Sequence, residues 1–576
     1  MGLKRNTQTI TPKSFRETQQ PPGWFELSGI VGLGLLVLAL LTPHVFDWLN
    51  PPTGDEPFYL TTAITILRDH SLDESDSYLT YRFWEFAPTC EEMAKPHWGD
   101  VGPKALYSVP GVYAPGLRAC PNTPSGFEYL PPHQSKETIR PGNYTKHGLG
   151  LSFLIIPAYA LAGRLGVMFF INLLAALVGV NCWLLAWEMT GRRGVAWLTW
   201  GAMLFTSPLL PFAFLIFPAT PAALAVVYSW RRLRLVARAR LEGLERNKPL
   251  FVEVNGPVRA LLVGLCIGIL PWLHSVYLSI AIPLFLYFVF GGRMRYWREW
   301  LPGWSPVPVA LFLLPLILLN GLLMAFYLWL YGSPLPNTQD HAGFAPLSYL
   351  WNGLLGLLFD QKYGLLVYSP IYLLAFAGLV LLGWSRGDQV LTRRRRSDLI
   401  WLGVAVVPNY LVMSSYNQWW GEWGPPARYL VPLVPVLAAP LAVTLAEGRN
   451  WFSRIFLGLA LLWSGIISVA WMYNPHLMYH WQDNNPAKLL TWLEDNVALF
   501  KGVNLAAWFP SYVTNLTANG SGPNYPAIIL WIAAAWLIAA LVVFLALRKP
   551  ETVETEEIFV TGGVSNARRL DSPDYP

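Results

Sequence analysis

The chain has 576 residues, of which 54% are hydrophobic, 14% aromatic and only 13% charged. A soluble domain carries about 25% charged residues, so the composition excludes an ordinary soluble enzyme of this length. Its 28 Trp and 4 Cys exclude a disordered chain and a disulfide scaffold, and the net charge of +6 says nothing of nucleic acid until the cations are located.

Apolar runs approaching 20 residues, roughly 30 Å as helix, predict membrane spans. Twelve follow in chain order: 27–46, 166–187, 195–213, 215–230, 259–273, 275–291, 306–331, 364–384, 399–414, 430–446, 455–473 and 527–547. The first is preceded by a polar tail, 1–26, is too long for a secretory apolar region and lacks a small-residue cleavage site, so it reads as retained. The span 215–230 is interrupted by the Pro-rich turn Phe217-Pro218-Ala219-Thr220-Pro221. Placing the N-terminus in the cytoplasm puts most of the 41 Lys and Arg on inner segments, including the run Arg231 to Lys248 and Arg393 to Arg396. Both termini then lie inside. The basic runs read as anchors on the inner leaflet of a lipid bilayer, and no nucleic-acid partner is expected. The acidic tail 548–576, rich in Gly, Ser and Pro, reads as a disordered cytoplasmic segment.

The outer face carries unusual mass. Residues 47–165 separate the first two spans and are too long for a structureless connection. Within them, Asp55 to His70 has apolar residues at 59, 60, 63, 64 and 67, the spacing of a helix lying on the membrane surface. Leu149 to Gly163 predicts a short half-buried or re-entrant helix. Further outer segments are 332–363, 415–429 and 474–526. Cys90 and Cys120 fall in the first outer loop, where a bridge and two free thiols are both compatible with the spacing. Cys182 and Cys266 fall in spans, and Asn143, Asn515 and Asn519 begin sequons.

The sharpest chemical feature is Thr53-Gly54-Asp55-Glu56-Pro57, two adjacent carboxylates just outside the first span. Thr53 and Glu56 have capping-box spacing, and acids suit the first turn of a helix. Alternatively, Asp55 is a general base at the membrane surface. An Asp-Glu pair in the first outer loop of a polytopic protein resembles the GT-C superfamily of membrane glycosyltransferases, which includes the protein O-mannosyltransferases and the lipid A aminoarabinose transferase. Further matches are Tyr144-Thr145-Lys146-His147-Gly148 running into Pro157 to Gly163, a span ending at Arg192-Arg193-Gly194, the ending Thr206-Ser207-Pro208, and the stretch Trp419 to Leu430 containing Gly-Pro-Pro-Ala-Arg428-Tyr. The sequence departs from the family where Lys-Pro-Pro gives way to Lys146-His147-Gly148, and where the Phe217 turn lacks an acid.

The resemblance implies an all-α polytopic fold of about twelve transmembrane helices with a helical outer subdomain, in a bacterial plasma membrane. It implies transfer of a sugar from a polyprenyl-phosphate donor to an envelope glycan, lipid or protein acceptor, with inversion. Asp55 is then the base, Glu56 caps or orients, and Lys146, His147 and Arg428 are candidates for holding the donor phosphate. Arg428 reads equally as a cation–π anchor among Trp419, Trp420 and Trp423. Other outer-face candidates are Lys362, His341 and Glu422. His274, at an outer hairpin, reads more readily as an interface residue. No ligand spacing for a metal is visible, and a divalent ion remains compatible with the chemistry. The competing reading is a lipid or polysaccharide transporter, which predicts that Asp55 can be neutralised with little effect.

Overall fold

The computed structural model describes residues 21–50, 52, 54–79, 135, 138–243, 256–291, 306–335, 350–384, 389–421, 423–448, 450–480, 485–512 and 525–548. Cys90, Cys120, Asn515, Asn519, His341, Glu422 and the distal parts of both tails lie outside them. Cys182 and Cys266 are free thiols.

Among the described residues the structure is all-helical; the Gly424–His480 pair is an isolated β-bridge. The helices are α1 (Trp24–Trp48), α2 (Glu56–Asp69), α3 (Ser75–Leu79), α4 (Leu149–Thr190), α5 (Arg193–Leu204), α6 (Ala219–Gly243), α7 (Pro257–Leu273), α8 (Leu278–Phe290), α9 (Pro306–Tyr331), α10 (Leu350–Phe359), α11 (Tyr372–Gly383), α12 (Gln389–Ser414), α13 (Ala438–Glu447), α14 (Trp451–Tyr473), α15 (Lys488–Asn496) and α16 (Tyr525–Leu547). Six described helices, α1, α4, α9, α12, α14 and α16, are long and apolar enough to cross a membrane. Five shorter apolar helical segments accompany them, including α7, α10 and α11.

Several apolar runs are not single helices, and prolines stand at the breaks. A prolyl residue has no N–H for the helical ladder and clashes with the preceding turn. The run 195–213 is helical only to Leu204, turns through Thr206-Ser207-Pro208 and resumes for one turn at Leu209–Phe212. The run 364–384 breaks at Ser369-Pro370. The run 430–446 opens as two 3₁₀ turns, Arg428–Leu430 and Val434–Leu437, before α13 begins. Hydropathy counts apolar side chains and is blind to these breaks.

α4 is the central strut and packs against α1, α2, α5, α6 and α13. It is two helices joined at a kink: Ala162 and Gly163 leave helical geometry, with Gly163 at φ 57 and ψ −149, a region open essentially to glycine. The break falls where the short outer helix expected at 149–163 ends and the expected span begins. Polar side chains tie the strut to its neighbours. Thr42 donates to Asn172 Oδ1 at 2.6 Å, and Asn172 Nδ2 donates to the Ala213 carbonyl at 2.7 Å. At the other end Glu188 accepts from Arg231 at 2.7 Å and faces Arg234, while Asp398 of α12 faces Arg234 at 3.2 Å and Arg238 at 2.5 Å. This buried network bolts α4, α6 and α12 together.

The described part of the first outer segment folds onto α2. Thr62 and Thr65 of α2 bond Glu74 and Ser77 at 2.5 and 2.7 Å, and the Asn143 carbonyl accepts from the Glu74 N–H at 2.7 Å. Burial, reinforced by the neighbouring Asp73 charge and opposed by the Thr62 hydrogen bond, pushes the Glu74 carboxyl up to about 8. The folded chain therefore keeps a proton that the unfolded chain releases near the ordinary glutamate value. This contribution to stability is complete below about pH 4.5 and is lost as pH rises toward 8. Thermal unfolding of the solubilised protein is expected to show a falling midpoint between pH 5 and 8 that Glu74→Gln flattens. Parallel profiles for the two proteins would show that Glu74 is ionised throughout.

Candidate functional site

α2 begins at Glu56, with Pro57 at its first turn and Asp55 at the N-cap position. Proline suits this place because the first N–H groups of a helix have no intrahelical partner. The Asp55 side chain makes no capping hydrogen bond. Its Oδ2 instead accepts from Arg428 Nη2 in a charge-assisted contact spanning 373 residues of chain. Both side chains are largely sheltered, 20% and 15% exposed. The Arg428 guanidinium also donates to the Gly421 carbonyl at 3.0 Å and lies 4.5 Å from the centre of the Phe217 ring. Burial works against its charge, and the Asp55 carboxylate, Tyr429 and Tyr59 outweigh that, so Arg428 holds its proton more tightly than an ordinary arginine.

Glu56 is 1% exposed, and its Oε1 accepts from the Ile216 N–H at 2.7 Å. The capping-box expectation paired it with Thr53, which lies outside the described residues; the described contact runs to the loop before α6. That bond pins the N-terminus of α2 to the residue before the Phe217 turn, so the stretch read from sequence as a Pro-rich interruption lacking an acid supplies a backbone donor to Glu56 and a ring face to Arg428. Arg164, immediately after the α4 kink, lies beside Glu56 and donates to the Leu49 carbonyl at 2.5 Å and Asn50 Oδ1 at 3.2 Å. Arg164 with Leu49 and Asn50, and Glu56 with Ile216, thus brace the start of α2, with the Glu56 charge acting on Arg164.

Tyr59 sits one helical turn after Asp55 and is 1% exposed. His147 packs on the same helix, with ring centres 5.4 Å from Phe58 and 5.2 Å from Tyr59. The structure therefore joins Asp55 to Arg428 directly, turns Glu56 to the Ile216 N–H, and packs His147 on Phe58 and Tyr59 of the same helix. Lys146 precedes His147 and is half-buried.

Lys362 belongs to an adjoining cluster. Its backbone N–H and that of Tyr363 donate to Asp360 Oδ1 at 2.8 and 3.1 Å, and its side chain is buried. Lys362 and Lys488 both act on His480, whose affinity for a proton falls well below that of a free histidine, first through burial and then through these two charges. His480 Nε2 meets the Tyr368 hydroxyl at 3.1 Å, and that hydroxyl donates to the Gln361 carbonyl. Trp423 joins the two clusters. Its ring stacks on Tyr479 at 5.4 Å and carries Lys488 at 5.3 Å, while its carbonyl faces Gly54, next to Asp55. Trp419 and Trp423 are buried, so they pack the loop inside the protein and do not form an exposed interfacial belt.

Sequence reasoning passed over Tyr59, Arg164, Tyr277, Tyr479 and His480. Only Tyr59 carried a local signal, its i+4 spacing from Asp55; the others reach the site from distant elements. His274 caps the 3₁₀ turn at Ser275–Tyr277 by accepting from the Val276 N–H, a structural role. Among the described residues no group of three or more His, Cys, Asp or Glu is assembled to hold a metal ion. In comparisons with known proteins, no family model, no curated protein and no solved structure matches this chain.

Proposed function

We propose that the protein is a GT-C-like membrane glycosyltransferase. In this reading the helical body makes about twelve passes, with the shorter apolar helices and broken runs completing the six long ones. Both termini are cytoplasmic, and the site faces the outer side of a bacterial plasma membrane. The donor is a polyprenyl-phosphate sugar whose tail lies among the spans. The acceptor is an envelope glycan, lipid or protein bearing a free hydroxyl. Asp55 takes the hydroxyl proton, the acceptor oxygen bonds to the anomeric carbon on the face opposite the phosphate, and the carbon–oxygen bond to phosphate breaks with its electron pair leaving on the polyprenyl phosphate. Inversion at the anomeric carbon follows from that geometry. Arg428, His147 and Lys146 steady the departing charge, while Glu56 holds the first turn of α2 in place.

The observation that carries the reading is the Asp55–Arg428 pair: a carboxylate at a helix start and a cation from a distant loop, partly exposed and braced from behind. Purified protein in liposomes, given a panel of polyprenyl-phosphate sugars and candidate acceptors, is expected to release free polyprenyl phosphate with at least one donor. Folded protein that releases none would overturn the reading in favour of transport without bond-making.

A further inference from the structure

We infer that Arg428 is an anion-exchange site: it holds the Asp55 carboxylate while no donor is bound, and transfers to the donor phosphate when the substrate arrives, freeing Asp55 to act as base. This rests on the glycosyl-transfer reading and adds to it the order of events at the site.

Three observations support it. The guanidinium is fixed from several sides. Its stem lies against the bare α-carbons of Gly421 and Gly424, where an added Cβ would stand 3.3 and 3.2 Å from Arg428 Cδ. Gly421 is at φ 84, and the preceding Ala427, at φ 56, is pinned by its N–H to the Tyr363 carbonyl at 2.9 Å. Phe217 closes one face. A guanidinium fork held in place is suited to a carboxylate or a phosphate, and the two compete for the same donors.

Second, a carboxylate already accepting from a guanidinium is a poorer proton acceptor, so base catalysis requires this contact to loosen. Donor binding supplies a stronger anion for the same fork at the moment the base is needed. Third, two further donors stand at the pair. Tyr59, on the same face of α2 as Asp55, and Tyr277, from the turn between α7 and α8, are 1% and 8% exposed. Both lie within the field of Arg428. Each phenolic O–H is a donor that an incoming phosphate or sugar oxygen can accept from.

The test is binding of farnesyl phosphate, with uncharged farnesol as control, to the purified full chain in detergent. Exchange predicts that Asp55→Asn, which removes the competing carboxylate, tightens farnesyl phosphate binding about tenfold. Arg428→Gln weakens it at least tenfold, and Asp55→Asn/Arg428→Gln binds no better than Arg428→Gln. Arg428→Lys, which keeps the charge and loses the fork, falls between. Size-exclusion profiles and melting curves establish that each variant is folded. If Asp55→Asn binds no tighter than wild type, the exchange is overturned while the transferase reading stands. An equal gain from Asp55→Asn in the Arg428→Gln background also overturns it, because the gain is then simple relief of repulsion between two anions. Wild type that fails to prefer farnesyl phosphate over farnesol overturns the transferase reading together with the exchange built on it.

Discussion

Asp398→Ala is expected to destabilise the protein by about 3–5 kcal/mol, the cost of removing one partner from a buried ion pair. The Asp398 carboxylate faces Arg234 and Arg238, and Arg234 is fully buried. Deleting the acid leaves two cations in an interior where α4, α6 and α12 meet, with Glu188 as the remaining acid against Arg231 and Arg234. Arg238 is 15% exposed and can turn toward water, which places the expected loss nearer about 3 than 5 kcal/mol. Thermal or denaturant unfolding in detergent measures it. A loss under about 1 kcal/mol would mean that water or lipid headgroups replace the carboxylate at no penalty. The double variant Asp398→Leu/Arg234→Leu should lose less than the sum of its parts, because the partners are coupled.

Membrane character and helix positions were legible because hydropathy is a property of contiguous residues. The runs at 27–46, 306–331, 399–414, 455–473 and 527–547 each lie within one described helix. The runs at 195–213, 364–384 and 430–446 do not, and the prolines that break them were visible in the sequence. Proline inside an apolar run does not by itself announce a break: Pro43 and Pro315 sit inside continuous helices. The Arg231, Arg234 and Arg238 side chains were read as lipid anchors. The structure turns them inward to Glu188 and Asp398, a pairing that no local pattern encodes.

At the site, the acidic pair was legible because its two residues are adjacent and begin a helix with an apolar face. Arg428 was legible as an outer-face cation, yet its partner was not, since Asp55 lies 373 residues away. The Trp cluster entered the sequence reading only as a cation–π setting for Arg428. Its burial against Tyr363 and Tyr479 follows from the Gly421–Gly424 loop folding inward, which depends on the bare α-carbons under the Arg428 stem.

Under the proposed chemistry, Asp55→Asn should lower the rate of sugar transfer by about 10²–10⁴-fold, the usual worth of a positioned general base. The amide matches the carboxylate in size and can still accept from Arg428, so α2 and its brace remain. What it lacks is a lone pair basic enough to take the acceptor proton. The loss should therefore fall on kcat, with the donor KM unchanged or lower, because the interaction removed belongs to the transition state. Glu56→Gln supplies the contrast. Its amide oxygen can still accept from the Ile216 N–H, so a positioning role predicts a loss of no more than about tenfold, well short of a base's contribution. Steady-state release of polyprenyl phosphate from saturating donor measures both variants. If Asp55→Asn keeps wild-type kcat while Glu56→Gln loses it, the base is Glu56 and Asp55 is a clasp for Arg428. If both variants keep wild-type kcat in an active enzyme, the proton is taken elsewhere and neither carboxylate is the base.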